Sequence, residues 1–266
     1  MRKLLTIFFI LLMAGQAQAD SKLKAFQTGD DSRGWEAVGR LDFAGRSFCT
    51  GALITETLVL TAAHCMFDIY DHKPHKPKDI TFKAGWRNGQ AQAYRAAKAI
   101  YVHPEFALNS GDLHDRLVHD VALIELDRPV RTTSVRPFAI SARPEKGQAV
   151  GVVSYAHDRA ETPSLQEVCH VMARQGGVLV TSCEVDFGSS GAPIFDMSGP
   201  TPRIVSVVSA KAQFRGGRVS VGTSLDGALS DLLQMASTGK SHFQKASNEP
   251  LPALSQTEFV VGVTGH

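Results

Sequence analysis

The chain has 266 residues, with 28 Lys+Arg against 26 Asp+Glu, and 43% of its residues are hydrophobic. A balance this close to neutral gives no electrostatic basis for nucleic acid or a membrane surface as partner. The length allows a substantial core, and a single all-β domain of this size is ordinary.

Residues 1–19 read as a cleavable secretory signal. Arg2 and Lys3 open it, an apolar run follows from Leu4 to Ala14, and Ala17-Gln18-Ala19 supplies a small-x-small cleavage pattern. The run is shorter than the roughly 20 apolar residues a spanning helix needs. Cleavage would leave a chain starting at Asp20 with 26 basic and 26 acidic residues. Residues 20–34 are expected to be an N-terminal extension or pro-segment. Short runs of high β-propensity follow, separated by turn residues: 37–43, 48–54, 58–60, 80–82, 100–102, 121–126, 149–155, 177–180 and 204–208. No long amphipathic helices alternate with them, so the pattern reads as a sandwich or barrel rather than a parallel α/β sheet. Leu225, Leu229, Leu232 and Leu233 share one helical face, with Thr223, Ser224 or Asp226 as candidate caps. The tail 237–266 has no clear pattern, although Phe259–Val263 is apolar enough to dock as a strand.

Three segments carry chemistry. Thr61-Ala62-Ala63-His64-Cys65 holds a histidine among small residues. His119-Asp120-Val121-Ala122-Leu123 sets an acid at the mouth of an apolar run. Phe187-Gly188-Ser189-Ser190-Gly191-Ala192-Pro193 frames a serine with residues that permit a sharp turn. Taken singly, each is common: a turn serine, a structural histidine, a strand-end acid. Together, in the order His64, Asp120, Ser190, they resemble the chymotrypsin/trypsin-like serine protease family, over about residues 35–236. The resemblance implies two six-stranded antiparallel barrels with a short C-terminal helix. The first would hold His64 and Asp120, the second Ser190. It also implies which of the three pairings open to four cysteines is used: Cys49–Cys65, leaving Cys169–Cys183.

The implied roles match what acyl transfer needs. A serine hydroxyl is a weak nucleophile until a base takes its proton. His64 would be that base, Asp120 would orient and stabilise the imidazolium, and Ser190 would attack. The N–H groups of Gly188 and Ser190 would hold the oxyanion. Ser209 resembles the family serine that contacts the buried aspartate, with Ser206 as a rival register. Asp112, Asp115 and Asp127 compete with Asp120 but lack its Val-Ala-Leu context. His72 and His75 lie in a Lys/Pro-rich loop that reads as solvated rather than metal-binding, and His103-Pro104 carries no assigned chemistry. No metal or other cofactor is expected.

Two departures from the digestive enzymes stand out. Ser189 replaces the aspartate that their new N-terminus pairs with on activation, and their Ile-Val-Gly-Gly start is missing. The chain looks more like the bacterial secreted branch, either active as folded or activated by trimming. Cys183 lies seven positions before Ser190, against four in the digestive enzymes, which unsettles the specificity pocket. Glu184 falls at the position of the pocket base, and Lys211 is expected near it. The reading is a secreted or periplasmic monomeric endopeptidase acting on protein or peptide substrates. The alternatives are a catalytically silent binding protein on the same fold and, less favoured, an esterase. The α/β-hydrolase order Ser, Asp, His is reversed here.

Overall fold

A computed structural model of the chain describes residues 20–214 and 216–239. The signal segment 1–19 and the apolar stretch Phe259–Val263 lie outside the described residues. Six strands close the first barrel: β2 (Val38–Phe43), β3 (Ser47–Leu53), β4 (Leu58–Thr61), β5 (Ile80–Ala84), β6 (Ala93–Val102) and β7 (Ala122–Leu126). Alternation drives them. In β5, Ile80, Phe82 and Ala84 are buried while Thr81 and Lys83 are not. Ala44 and Gly45 both take positive φ, which a tight β2–β3 hairpin turn requires.

The second barrel is built from β8 (Ala149–Ser154), β9 (Ser164–Gln175), β10 (Val178–Thr181), β11 (Pro193–Asp196), β12 (Arg203–Phe214) and β13 (Gly217–Ser224), closed by β8 on β9. A seventh strand, β1 (Lys24–Ala25), adds to β9. The architecture is therefore two antiparallel six-stranded barrels with one helix, α2 (Ala228–Thr238), at the C-terminal end. No described helix is long and apolar enough to cross a membrane.

The structure corrects several sequence-based details. The helix starts after Leu225, and Gly227 stands at its cap with φ 78° and no side-chain cap bond, so none of Thr223, Ser224 or Asp226 caps it. Thr223 Oγ1 instead donates to the Leu117 carbonyl, 2.7 Å away. A short helix, α1 (Leu113–Val118), precedes Asp120, and Asp112 caps it by accepting from the N–H groups of His114 and Asp115. His75 is not solvated: it is buried and stacks on Phe43.

The extension 20–34 packs onto both barrels. Ser21 N donates to Val168 O at 2.7 Å, Ser21 Oγ accepts from Val168 N at 2.8 Å, and Asp20 meets the His170 ring at 2.7 Å. Phe26 is 1% exposed within the main core. Where the barrels meet, Trp35, Phe138 and Phe195 form an aromatic cluster with ring centroids 4.7–6.0 Å apart.

Candidate active site

The candidate side chains are positioned by strand ends, by the loops that leave them and, for Ser209, by an irregularity within β12. His64 opens a 3-10 turn (His64–Met66) directly after β4, and the neighbouring Cys65 is bonded to Cys49 on β3, S–S 2.00 Å. Asp120 lies between α1 and β7 and is 3% exposed. Its carboxylate accepts from the His64 backbone N–H at 2.8 Å and meets His64 Nδ1 at 2.7 Å, which fixes both the position and the rotation of the ring. Ser209 Oγ donates to the same carboxylate. Ser209 sits at a register shift in β12, between Val208 and Ala210. Such a bulge re-aims one side chain out of the ladder. The rival, Ser206, is buried and donates to the Thr223 carbonyl at 2.7 Å.

Burial opposes a charge on the His64 ring, but the adjacent Asp120 charge and hydrogen bond outweigh it, and the pKa rises above the ordinary imidazole value. A base paired in this way can hold the proton of an attacking hydroxyl.

Ser190 lies in the loop between β10 and β11. The Cys183–Cys169 disulfide braces the loop's start. Thr50, fully buried on β3, fastens its end to the first barrel. Thr50 N donates to Ser190 O at 2.9 Å and Thr50 Oγ1 donates to Gly188 O at 2.9 Å. Gly191 has φ +75°, and a Cβ there would lie 2.1 Å from Thr61 Oγ1, so only glycine fits this approach of the barrels. Gly188 has φ +94°, and its Cβ would strike the Phe48 ring at 2.4 Å. The crowding met there is the protein's own ring. The N–H groups of Gly188 and Ser190 donate to nothing among the described residues, and neither does the Ser190 hydroxyl.

Ser190, His64, Asp120, Ser209 and Gly188 all line one cavity of about 760 Å³ between the barrels. Glu184 does not line it. It is exposed on the approach loop, where its N–H donates to Gln166 Oε1 at 2.6 Å. Its expected place at the pocket is taken by Asp186 and Phe187, because the longer Cys183–Ser190 loop carries those residues onto the rim. Lys211, from β12, reaches the rim too. It pairs with Asp186 at 2.8 Å and lies 3.8 Å from the centre of the Phe187 ring, and this contact holds the Asp186 carboxyl below its usual range. Thr50 was not singled out from sequence, although a polar residue within a strand expected at 48–54 is a signal that it has a partner to satisfy.

Ser189, where the digestive enzymes have aspartate, is fully buried. Its hydroxyl donates to Tyr155 O at 3.0 Å and accepts from Asp186 N at 3.3 Å, so its polar group is satisfied inside the second barrel.

Two antiparallel barrels with a paired His-Asp and a half-buried serine lining the groove between them define a class of two-barrel scaffold. The family model described as Trypsin matches residues 27–229, and the chain belongs to that family. A trypsin from Phaedon cochleariae is 31% identical over 105 residues, which is 39% of this chain and 36% of that protein. The chain spans about a third or less of the length of the curated relatives it matches. Among solved structures, a Glu endopeptidase in complex with MPD superposes with TM-score 0.66 at 18% identity, covering 83% of this chain and 97% of that one. A scabies mite inactivated protease paralogue superposes with TM-score 0.63 at 18% identity, covering 84% and 99%. At these identities the structural matches speak for the fold alone.

Proposed function

We propose that this protein is a secreted serine endopeptidase that cleaves peptide bonds through an acyl-enzyme on Ser190. The observation that carries the reading is the His64 Nδ1–Asp120 Oδ2 contact of 2.7 Å, in a cavity that Ser190 also lines. In this account His64 Nε2 takes the Ser190 proton as Oγ attacks the scissile carbonyl, and the tetrahedral oxyanion binds the N–H groups of Gly188 and Ser190. His64 then protonates the leaving amine. Water then attacks the acyl carbonyl as His64 takes one of its protons, the bond from the carbonyl carbon to Ser190 Oγ breaks, and His64 returns the proton to Oγ as the acid leaves. Asp120 faces the imidazolium and stabilises it, and Ser209 holds the carboxylate in line.

Export through the 1–19 segment, with the protease domain at 35–236, belongs to the same proposal and suits the two disulfides. Among branches of the family we favour the bacterial secreted arrangement. Two observations support it: the Ser189 hydroxyl has its partners without a new N-terminal ammonium, and the 20–34 segment packs against β9 with Phe26 buried in the core. The competing reading is a silent binding protein, and the unpartnered Ser190 hydroxyl is the one observation that favours it. Turnover of a quenched-fluorescent peptide library by the exported protein, lost in Ser190→Ala with binding kept, is the expected result. Equal, absent turnover in both proteins selects the silent alternative.

A further inference from the structure

Outside the cavity lining, two imidazoles, one of them the chain neighbour of Asp120, stack where the proposed catalytic chemistry has no use for them. The His103 and His119 rings lie 4.9 Å apart and 14° from parallel. His103 ends the β6 segment, His119 closes α1, and the carboxylates around them come from three places. Glu105 Oε2 lies 2.8 Å from His119 Nε2, Asp115 Oδ1 lies 3.3 Å from His119 Nδ1, and Asp231 Oδ2, on α2, lies 3.6 Å from His103 Nε2. One ligand atom each from His103, Glu105 and His119 falls within 4.8 Å of the others.

We propose that His103, His119 and Glu105 form a binding site for a divalent transition-metal ion of the zinc class, with Asp231 or water as fourth ligand. The donor set is two imidazoles and a carboxylate, which suits zinc and its neighbours rather than calcium or magnesium. Metal–ligand bonds of about 2.0–2.2 Å place tetrahedral ligand atoms roughly 3.3 Å apart. The cluster straddles this spacing, with Glu105 and His119 at 2.8 Å and the three ligand atoms spread over as much as 4.8 Å, and the side chains free to adjust it are on the outside. Glu105 and Asp231 are 70% and 59% exposed, while His103 is 5% exposed and held by its backbone N–H to Val121 O. A buried and a half-buried imidazole supply the fixed donors, and exposed carboxylates supply mobile donors and an entry path.

The other nearby set of such donors, Cys49, His64 and Cys65, is no rival, because its two cysteines are joined in a disulfide and offer no thiolate. An ion at the proposed site would tie the end of β6, the α1–β7 loop and α2 together around the two chain neighbours of Asp120. The inference does not depend on hydrolytic activity.

The test is titration of the full exported protein with zinc chloride by isothermal calorimetry, after treatment with EDTA and its removal. A parallel cobalt titration is read by visible absorption. One ion per chain is expected, with a dissociation constant on the order of micromolar, a cobalt d–d band of tetrahedral intensity, and a higher melting temperature in zinc than in EDTA. Glu105→Gln and His119→Asn should each weaken binding by roughly tenfold or more. Glu105→Gln changes an exposed side chain and should keep the metal-free melting temperature, so its result stands even if His119→Asn folds poorly. No binding below millimolar zinc, or unchanged affinity in Glu105→Gln, overturns the site and leaves the cluster a structural ion pair.

Discussion

Phe26 offers the sharpest test of whether the N-terminal segment belongs to the working enzyme. It follows β1, its backbone N–H donates to Pro163 O at 3.0 Å, and its ring is 1% exposed in the core that spans the barrels. Truncating a buried Phe to Ala costs about 3–5 kcal/mol through lost transfer energy and the cavity left behind. For a domain of this size each kcal/mol moves the melting temperature by about 2–4 °C. Phe26→Ala should therefore melt about 6–20 °C below wild type in scanning calorimetry. Gln27→Ala, one residue on and exposed, should stay within about 0.5 kcal/mol of wild type. At temperatures where both are folded, the two variants should hydrolyse peptide alike. A Phe26→Ala protein melting within 2 °C of wild type, or a mature active enzyme whose sequence starts beyond Phe26, would refute the view that this segment is a permanent part of the fold.

Asp120→Asn should lower turnover by roughly 10⁴, since the amide favours the wrong imidazole tautomer. The same variant should shift the pH profile. His64 must be neutral to act as base, so activity falls as pH drops through its pKa. That limb should lie above the ordinary imidazole value in the wild type, where Asp120 raises the His64 pKa, and move down in the variant. Gly188→Ala meets both a φ of +94° and the Phe48 ring, so the loop must shift and take one oxyanion donor with it. Its kcat should fall by about 10²–10³, with the Cys169–Cys183 disulfide still formed by mass spectrometry.

The strands legible from sequence were those with branched or aromatic residues on the inward face, such as β2 and β7. Those missed follow another logic. Most of β6, Ala93-Tyr94-Arg95-Ala96-Ala97-Lys98-Ala99, uses helix formers, and its state is set by pairing on both sides with β5 and β7. In β9 and β13 the buried positions include Gln166, Ser220 and Thr223, polar groups satisfied by partners far along the chain. Local hydrophobicity cannot register such partners. The candidate site residues stand in short local motifs because acyl transfer demands particular residue types, whereas much of the fold around them rests on long-range pairing. What stayed hidden was the support: Thr50 between the barrels, the bulge at Ser209, and Asp186 as the partner Lys211 finds on the rim. Glu184 shows the limit of counting back along a loop, because three residues of extra length change which side chain arrives.

The most direct measurement is chemical. The folded, exported protein is exposed to a fluorophosphonate probe, and its intact mass and peptide map are recorded. A single adduct on Ser190, lost on prior unfolding and absent from Ser190→Ala and strongly slowed in His64→Ala, is the outcome this account requires. Folded wild-type protein that takes up no probe, or takes it up equally without the His64 imidazole, would mean that the serine is not activated and that the groove binds without cutting.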